Sequence, residues 1–266
     1  MLIAGAVCPH PPLLIPAALG SASSDPPGEL RKVAAAAARA VSGLTRARPD
    51  LIVVVGGGAA EREYGADASG GLHAFGVAVT VGPGEPVLPL SLTVGRWLLE
   101  GAGILERGEA PDLPAEAADL PGEAVSVPGA GAGGGIPVVF QEVARHAAAG
   151  DCLKLGRILA DRAPRVALLA MGDSCARPAR EDPDVPDPAA QDYDAEVAEA
   201  LAAADTRWFT RLDPALDDEL VVAGRAAWQV LAGAARGTRM RGRLLCMSAP
   251  YGVTYLVASW EESRTD

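Results

Sequence analysis

Val7-Cys8-Pro9-His10-Pro11-Pro12 is the stretch on which the fold turns, because it joins an apolar run to a histidine and three prolines. Residues Leu2 to Val7 are small and apolar, as in a strand buried on both faces. Pro9 and Pro11 each remove a backbone donor and bias the preceding residue to extended geometry, so the strand stops. His10 then stands just past its carboxyl end, where ligands collect in open α/β sheets. An imidazole there is either a metal ligand or acid/base group, or an ordinary loop histidine bonded to backbone.

Downstream, Asp25-Pro26-Pro27-Gly28-Glu29 has a capping carboxylate and prolines where missing donors are tolerated, and predicts a helix to about Arg46. Leu30, Val33, Ala37, Val41 and Leu44 recur at spacings of three and four along one face. Leu51 to Val55 is an unbroken run that predicts a second buried strand ending in Gly56-Gly57-Gly58. Strand, helix, strand at this length implies parallel pairing through a right-handed crossover.

Further along, Phe75 to Val81 predicts a third strand and Leu90 to about Arg107 a helix. Residues 109–135, rich in Pro, Gly, Ala and acids, form a long surface excursion with a short strand possible only at Ala124 to Val127. An apolar segment at Ile136 to Phe140 leads into helical pattern that breaks near Gly150-Asp151 and ends before Pro164. Val166 to Met171 is the clearest central strand of the second half. It is followed by Gly172-Asp173-Ser174-Cys175-Ala176-Arg177 and an acidic, proline-rich loop at about 178–190. Helices over Ala190 to Ala204 and Asp218 to Ala235, then strands at Leu244 to Ala249 and Val253 to Ser259, complete the pattern. The alternation predicts one α/β domain with a mainly parallel central sheet flanked by helices.

With 266 residues, 49% of them hydrophobic, the chain can fill a substantial core. Its apolar runs are far shorter than the roughly twenty residues a spanning helix needs, and no signal-peptide pattern opens the sequence, so a cytoplasmic protein that does not bind membranes is expected. A formal charge of −11 argues against nucleic acid as a partner. The arginines between Arg236 and Arg243 read as a solvated turn. The four cysteines, Cys8, Cys152, Cys175 and Cys246, contain no C-x-x-C pair and suggest thiols rather than a zinc knuckle or disulfide framework.

Several patterns fail the context their chemistry requires. The glycines from Gly129 to Gly135 lack the flanking strand and helix of a dinucleotide site and the Gly-Lys-Ser/Thr of a P-loop. Gly56-Gly57-Gly58 is better placed, but no lysine or hydroxyl follows directly for a phosphate. Glu181, Asp182, Asp184, Asp187, Asp192 and Asp194 do not follow calcium-loop spacing. Ser174 lacks a Gly-x-Ser-x-Gly elbow. His146 falls in helical pattern, and His73 in a glycine-flanked loop from which it could approach His10.

Taken in order, these landmarks resemble the class III extradiol ring-cleavage dioxygenase superfamily, in its LigB-like branch, which includes the Memo-like proteins. Gly5-Ala6-Val7-Cys8-Pro9-His10-Pro11-Pro12-Leu13-Leu14-Ile15-Pro16 is similar to the segment carrying the family's first iron-ligating histidine. Arg48-Pro49-Asp50 with Leu51 to Val55 resembles the strand leading to the second. Met171-Gly172-Asp173 with Arg177 resembles the strand-end motif that presents an acid/base histidine, and Gly224-Arg225 the Memo-type segment just after a third metal-site residue. The resemblance implies Fe(II) held by two histidines and a carboxylate, with open positions for a catecholate and dioxygen. Here the second histidine's place falls at about Gly58, the acid/base place at about Ala176 and the third ligand at about Ala223, none of which has a donor atom.

The resemblance therefore implies a relative without a competent iron site and without a cofactor. Its cleft would be lined by His10, Gly56, Gly57, Gly58, Asp173 and Arg177, with Arg177 holding an acidic ligand group. The ligand is a small molecule or a protein, and a homo-oligomer or a partner chain completing the site is compatible with the sequence. The alternative is an active Fe(II) oxygenase or another metal-dependent enzyme. It would use a rearranged site of His10 with His73 or Cys8, and Cys175 or an acidic-loop carboxylate as third ligand.

Overall fold

Four runs of small and β-branched residues pair side by side as parallel strands and make the centre of the molecule. They are β1 (Leu2–Cys8), β2 (Leu51–Gly58), β7 (Val138–Ala144) and β8 (Val166–Met171), in the spatial order β7-β2-β8-β1. The computed structural model describes residues 1–19, 28–107, 135–176 and 188–263. The sheet is extended antiparallel on one side by β10 (Tyr255–Glu262) and β9 (Met240–Ser248), and on the other by the short β3 (Arg62–Tyr64). The chain is thus an α/β domain with a mostly parallel sheet of seven strands.

Side chains alternate across a strand, so each buried strand feeds two cores. Val53 and Val55 of β2 and Leu168 and Ala170 of β8 face one layer, and Ile52, Val54, Ala167 and Leu169 face the other. The first layer is covered by α3 (Ala149–Ala160), α4 (Pro188–Ala203), α5 (Thr206–Phe209) and α7 (Arg225–Ala234). Phe209, Trp228 and Trp260 pack there ring against ring. The second layer is covered by α1 (Gly28–Arg46), whose apolar face is the one its spacing predicts, and by α2 (Leu90–Gly101). Glycine allows the closest helix contact: a Cβ at Gly156 would lie 2.6 Å from the Ala234 nitrogen, and one at Gly233 would lie 2.7 Å from the Leu153 Cα. Helices α3 and α7 therefore meet nearly backbone to backbone.

Several elements differ from the sequence reading. Ile136 to Phe140 does not pass straight into a helix: β7 runs on to Ala144, His146 stands in an exposed turn beyond it, and the expected helix begins only at Ala149, runs unbroken through Gly150-Asp151 and ends before Pro164. The polar pair Gln141 and Glu142 is tolerated in the sheet because both side chains are satisfied there. Gln141 Nε2 donates to the Arg62 carbonyl, and Glu142 accepts from the Ala59 and Ala60 amides. Phe75 to Val81 is not one strand. His73–Phe75 forms a 3-10 turn closed by Gly76 at φ 75°, and only Thr80–Val81 (β5) pairs, with β4 (Ser69–Gly71) in a small sheet completed by β6 (Pro86–Leu88). Helix α2 ends at Gly101, short of Arg107. The late helix divides into α6 (Pro214–Leu220) and α7 because Val221 takes a left-handed conformation, φ 56°. The strand proposed at Ala124 to Val127, the excursion up to residue 134, and residues 177–187 with Arg177 and four of the acidic-loop carboxylates lie outside the described residues; Pro188 already opens α4. Among the described residues no helix is long and apolar enough to cross a membrane.

Candidate functional site

All four parallel strands end at the same edge of the sheet, and each delivers its next residues to one place. Pro9 stops β1 and sets His10 over the edge, where its backbone amide donates to Asp173 Oδ1 at 2.7 Å. Asp173 follows β8, whose line is prolonged by the Gly172 amide donating to the Cys8 carbonyl at 3.0 Å. Strand β2 contributes Gly57 and Gly58, and β7 contributes Arg145, whose amide donates to the Gly58 carbonyl at 3.1 Å. The segment before α7 closes over them: the Ala223 amide donates to the Asp173 carbonyl at 3.2 Å, and a Cβ on Gly172 would approach the Gly224 nitrogen to 3.0 Å. His10, Gly57, Gly58, Arg145 and Ala223 line a cleft of about 220 Å³.

His10 and Asp173 form the polar centre, with 14% and 15% of their side-chain surfaces exposed. Nδ1 of His10 lies 3.4 Å from Asp173 Oδ1 and makes no hydrogen bond among the described residues. Burial pushes the Asp173 carboxyl above its ordinary range, against the pull of His10. Burial, together with the charge of Asp173 and with Tyr251, raises the phenol of Tyr255. Tyr251 itself is half exposed and left-handed, φ 61°, a strained conformation for an aromatic residue.

The raised carboxyl makes stability depend on pH. The fold holds the Asp173 proton more tightly than the unfolded chain, so the contribution of this group is complete below the unfolded value, about 3.9, and is lost as pH rises through the folded one. Asp173→Asn keeps an acceptor for the His10 amide and removes that loss. In urea unfolding, the variant should gain on the native protein as pH rises from about 4; parallel pH profiles would contradict the assignment.

The places where the resemblance implies iron ligands are occupied otherwise. A Cβ at Gly58 would lie 2.6 Å from both Cγ and Cδ of Glu142, so the Glu142 side chain fills the space a residue there would use. Its carboxylate accepts from the amides of Ala59 at 2.6 Å and Ala60 at 3.2 Å and from the Tyr64 hydroxyl at 2.7 Å. Ala176 and Ala223 offer no donor. Cys8 is wholly buried, with its thiol pushed up by desolvation, and sits in the core behind His10. Cys175 is equally buried, in the opposite core layer. His73 is exposed beside the small sheet and does not line the cleft. Among the described residues no three His, Cys, Asp or Glu side chains gather as a metal would require. Among the described residues at this edge, His10 is the only histidine lining the cleft, so the donors described there do not make up the two histidines and a carboxylate that Fe(II) would take.

Of the residues singled out in the sequence, His10, Gly57, Gly58 and Asp173 come together. Gly56 is turned away: a Cβ there would meet Ser91 Cβ at 2.8 Å, under α2. The residue missed was Arg145. Its Nε is buried with no hydrogen-bond partner among the described residues, and its backbone carbonyl is fixed by Nη2 of the buried Arg225 at 2.7 Å. The signal that could have found it is a cation directly after the mostly apolar run Val138 to Ala144, which marks a strand's carboxyl end.

Comparison with solved structures places this architecture beside the "uncharacterized protein JW3007 from Escherichia coli K12", with a TM-score of 0.52 and 14% identity. The match covers 97% of this chain and 99% of that one, so the likeness is of the whole fold. No protein-family model matches the chain, and no curated protein matches it.

Proposed function

We propose that this chain is a divergent relative of the LigB-like extradiol dioxygenases that lacks a competent iron site and binds a small anionic molecule in the cleft between His10 and Arg145. The observation that carries this reading is Arg145, which lines the cleft and whose buried Nε has no hydrogen-bond partner among the described residues. A buried donor left unpaired costs about 1–3 kcal/mol, which an acceptor on a ligand would recover. Gly57 supplies a stretch of floor without a side chain, where the nearest atom a Cβ would meet is the Ala223 carbonyl oxygen at 3.4 Å, so a ligand can approach the backbone there. The cleft, about 220 Å³, is small. Sites for drug-sized molecules begin at roughly 300 Å³, which favours a small carboxylate over a protein segment. Asp173, inclined toward its protonated form by burial, would add little repulsion near its raised range.

Benzoate is a suitable probe. Arg145→Met should weaken its binding by about tenfold or more in calorimetric titration, the loss expected when a charge-assisted hydrogen bond is removed. In parallel, anaerobic Fe(II) addition should give no stoichiometric bound metal and no catechol-dependent oxygen uptake. Stoichiometric iron abolished by His10→Ala would overturn the reading in favour of a metalloenzyme.

A further inference from the structure

The opposite edge of the sheet, where the parallel strands begin, holds a second and larger concavity. This open groove of about 1180 Å³ runs between the carboxyl end of α1 and the exposed face of β9 and β10. Arg46 and Arg48 reach it from the end of α1, Arg165 from the residue before β8, and Arg241 and Arg243 from alternate positions of β9, which share one face. Against these five guanidinium groups stand the carboxylates of Glu261 and Glu262, so the groove is net positive on a chain whose formal charge is −11.

The arginines divide by role. Arg165 is structural: its Nε donates to the Arg48 carbonyl at 2.9 Å and its Nη2 to the Ala47 carbonyl. Those bonds fix the turn after α1, in which Arg48 takes the left-handed φ of 53°. The side chains of Arg46, Arg48, Arg241 and Arg243 have no hydrogen bond or ion pair among the described residues. Arg241 stands directly across the ladder from Glu261, and Arg243 from Ser259, yet neither pair closes to an ion pair or hydrogen bond. Gly242 lets the strand lie close under the end of α4, where a Cβ would come within 2.8 Å of the Ala202 carbonyl, and this seats its two arginine neighbours on the other face.

We infer that this groove is a binding site for a small oligophosphate, a ligand with several fully charged phosphate groups in a row. Guanidinium forks match phosphate oxygens two at a time, and an array of four spread along a groove fits charge that is itself extended. A monocarboxylate would meet only one of them. A long nucleic acid would run beyond the groove into the acidic field of the rest of the molecule, whereas a small anion meets only the local potential.

The test is calorimetric titration of the full chain with inorganic tripolyphosphate and, in a second arm, ATP, at low ionic strength. Binding should be saturable, weaken as salt is added, and fall by about tenfold or more in the double variant Arg241→Gln/Arg243→Gln. These side chains are exposed and hold no other part of the fold, and circular dichroism should confirm that the variant is folded. Equal affinity for both probes would assign the site to the phosphate chain alone, and tighter ATP binding would assign it to a nucleotide. No binding of either probe, or undiminished binding by the folded double variant, would overturn the proposal.

Discussion

Arg96→Ala is expected to destabilise the protein by about 3–5 kcal/mol, the usual cost of stranding one member of a buried ion pair. Arg96 on α2 is 2% exposed and its partner Glu100, one helical turn away, is 8% exposed. Arg96 Nε donates to Glu100 Oε1 at 2.8 Å, while Nη1 donates to the carbonyls of Ala66 at 2.6 Å and Ala68 at 3.0 Å. One guanidinium therefore neutralises a buried carboxylate and also ties the approach to the small sheet onto the helix. Gly82, at φ 102°, leaves room for it: a Cβ there would lie 2.9 Å from Arg96 Cζ.

Burial raises the Glu100 carboxyl even though Arg96 lowers it, so the neutral acid is the form the fold tolerates once the cation is gone. The cost of Arg96→Ala should consequently shrink in acid, as Glu100 protonates. Arg96→Met/Glu100→Leu, which removes both charges and keeps the volume, should lose less than the single variant. Urea unfolding at two pH values measures all three quantities, and a loss below about 1 kcal/mol for Arg96→Ala would show that the pair is not holding the small sheet in place.

The second large effect is expected where the resemblance implies an iron-ligating histidine. Gly58→His would restore an imidazole at that place in the sequence, but its Cβ would collide with the Glu142 side chain. To make room, Glu142 must leave the Ala59 and Ala60 amides and the Tyr64 hydroxyl. Overpacking plus the loss of charge-assisted bonds should cost about 3 kcal/mol or more. Combining Gly58→His with Glu142→Ala should cost less than the sum of the two single variants, because removing one side chain opens the space the other needs. Additive losses in chemical denaturation would separate the two positions and refute the packing argument.

The parts of the cleft that were legible share one property. Pro9 after β1, the glycines closing β2 and Gly172 after β8 each end a buried strand in a way that does not depend on strand order. In a parallel sheet all such ends lie on one edge, so His10, Gly57, Gly58 and Asp173 could be grouped without knowing which strand neighbours which. Arg145 escaped that logic because Gln141 and Glu142 interrupt the apolar run of β7, and the groups that satisfy them belong to residues about eighty positions away. The small sheet escaped for a related reason. Its strands are two or three residues long, too short to carry a period, and they persist because α2 and the buried Arg96 support them.

Local stereochemistry and the period of apolar residues were enough for the α/β architecture, the two-faced burial of the central strands and the edge on which His10 must stand. Packing in three dimensions was needed to settle which side chains fill the spaces at that edge: Glu142 over Gly58, Arg145 beside His10, and Gly56 turned under a helix. It also gathered Arg46, Arg48, Arg165, Arg241 and Arg243 into one groove, although the last two had read as a solvated turn. Backbone preference acts between neighbours in the chain, whereas unpaired charge and excluded volume act between neighbours in space.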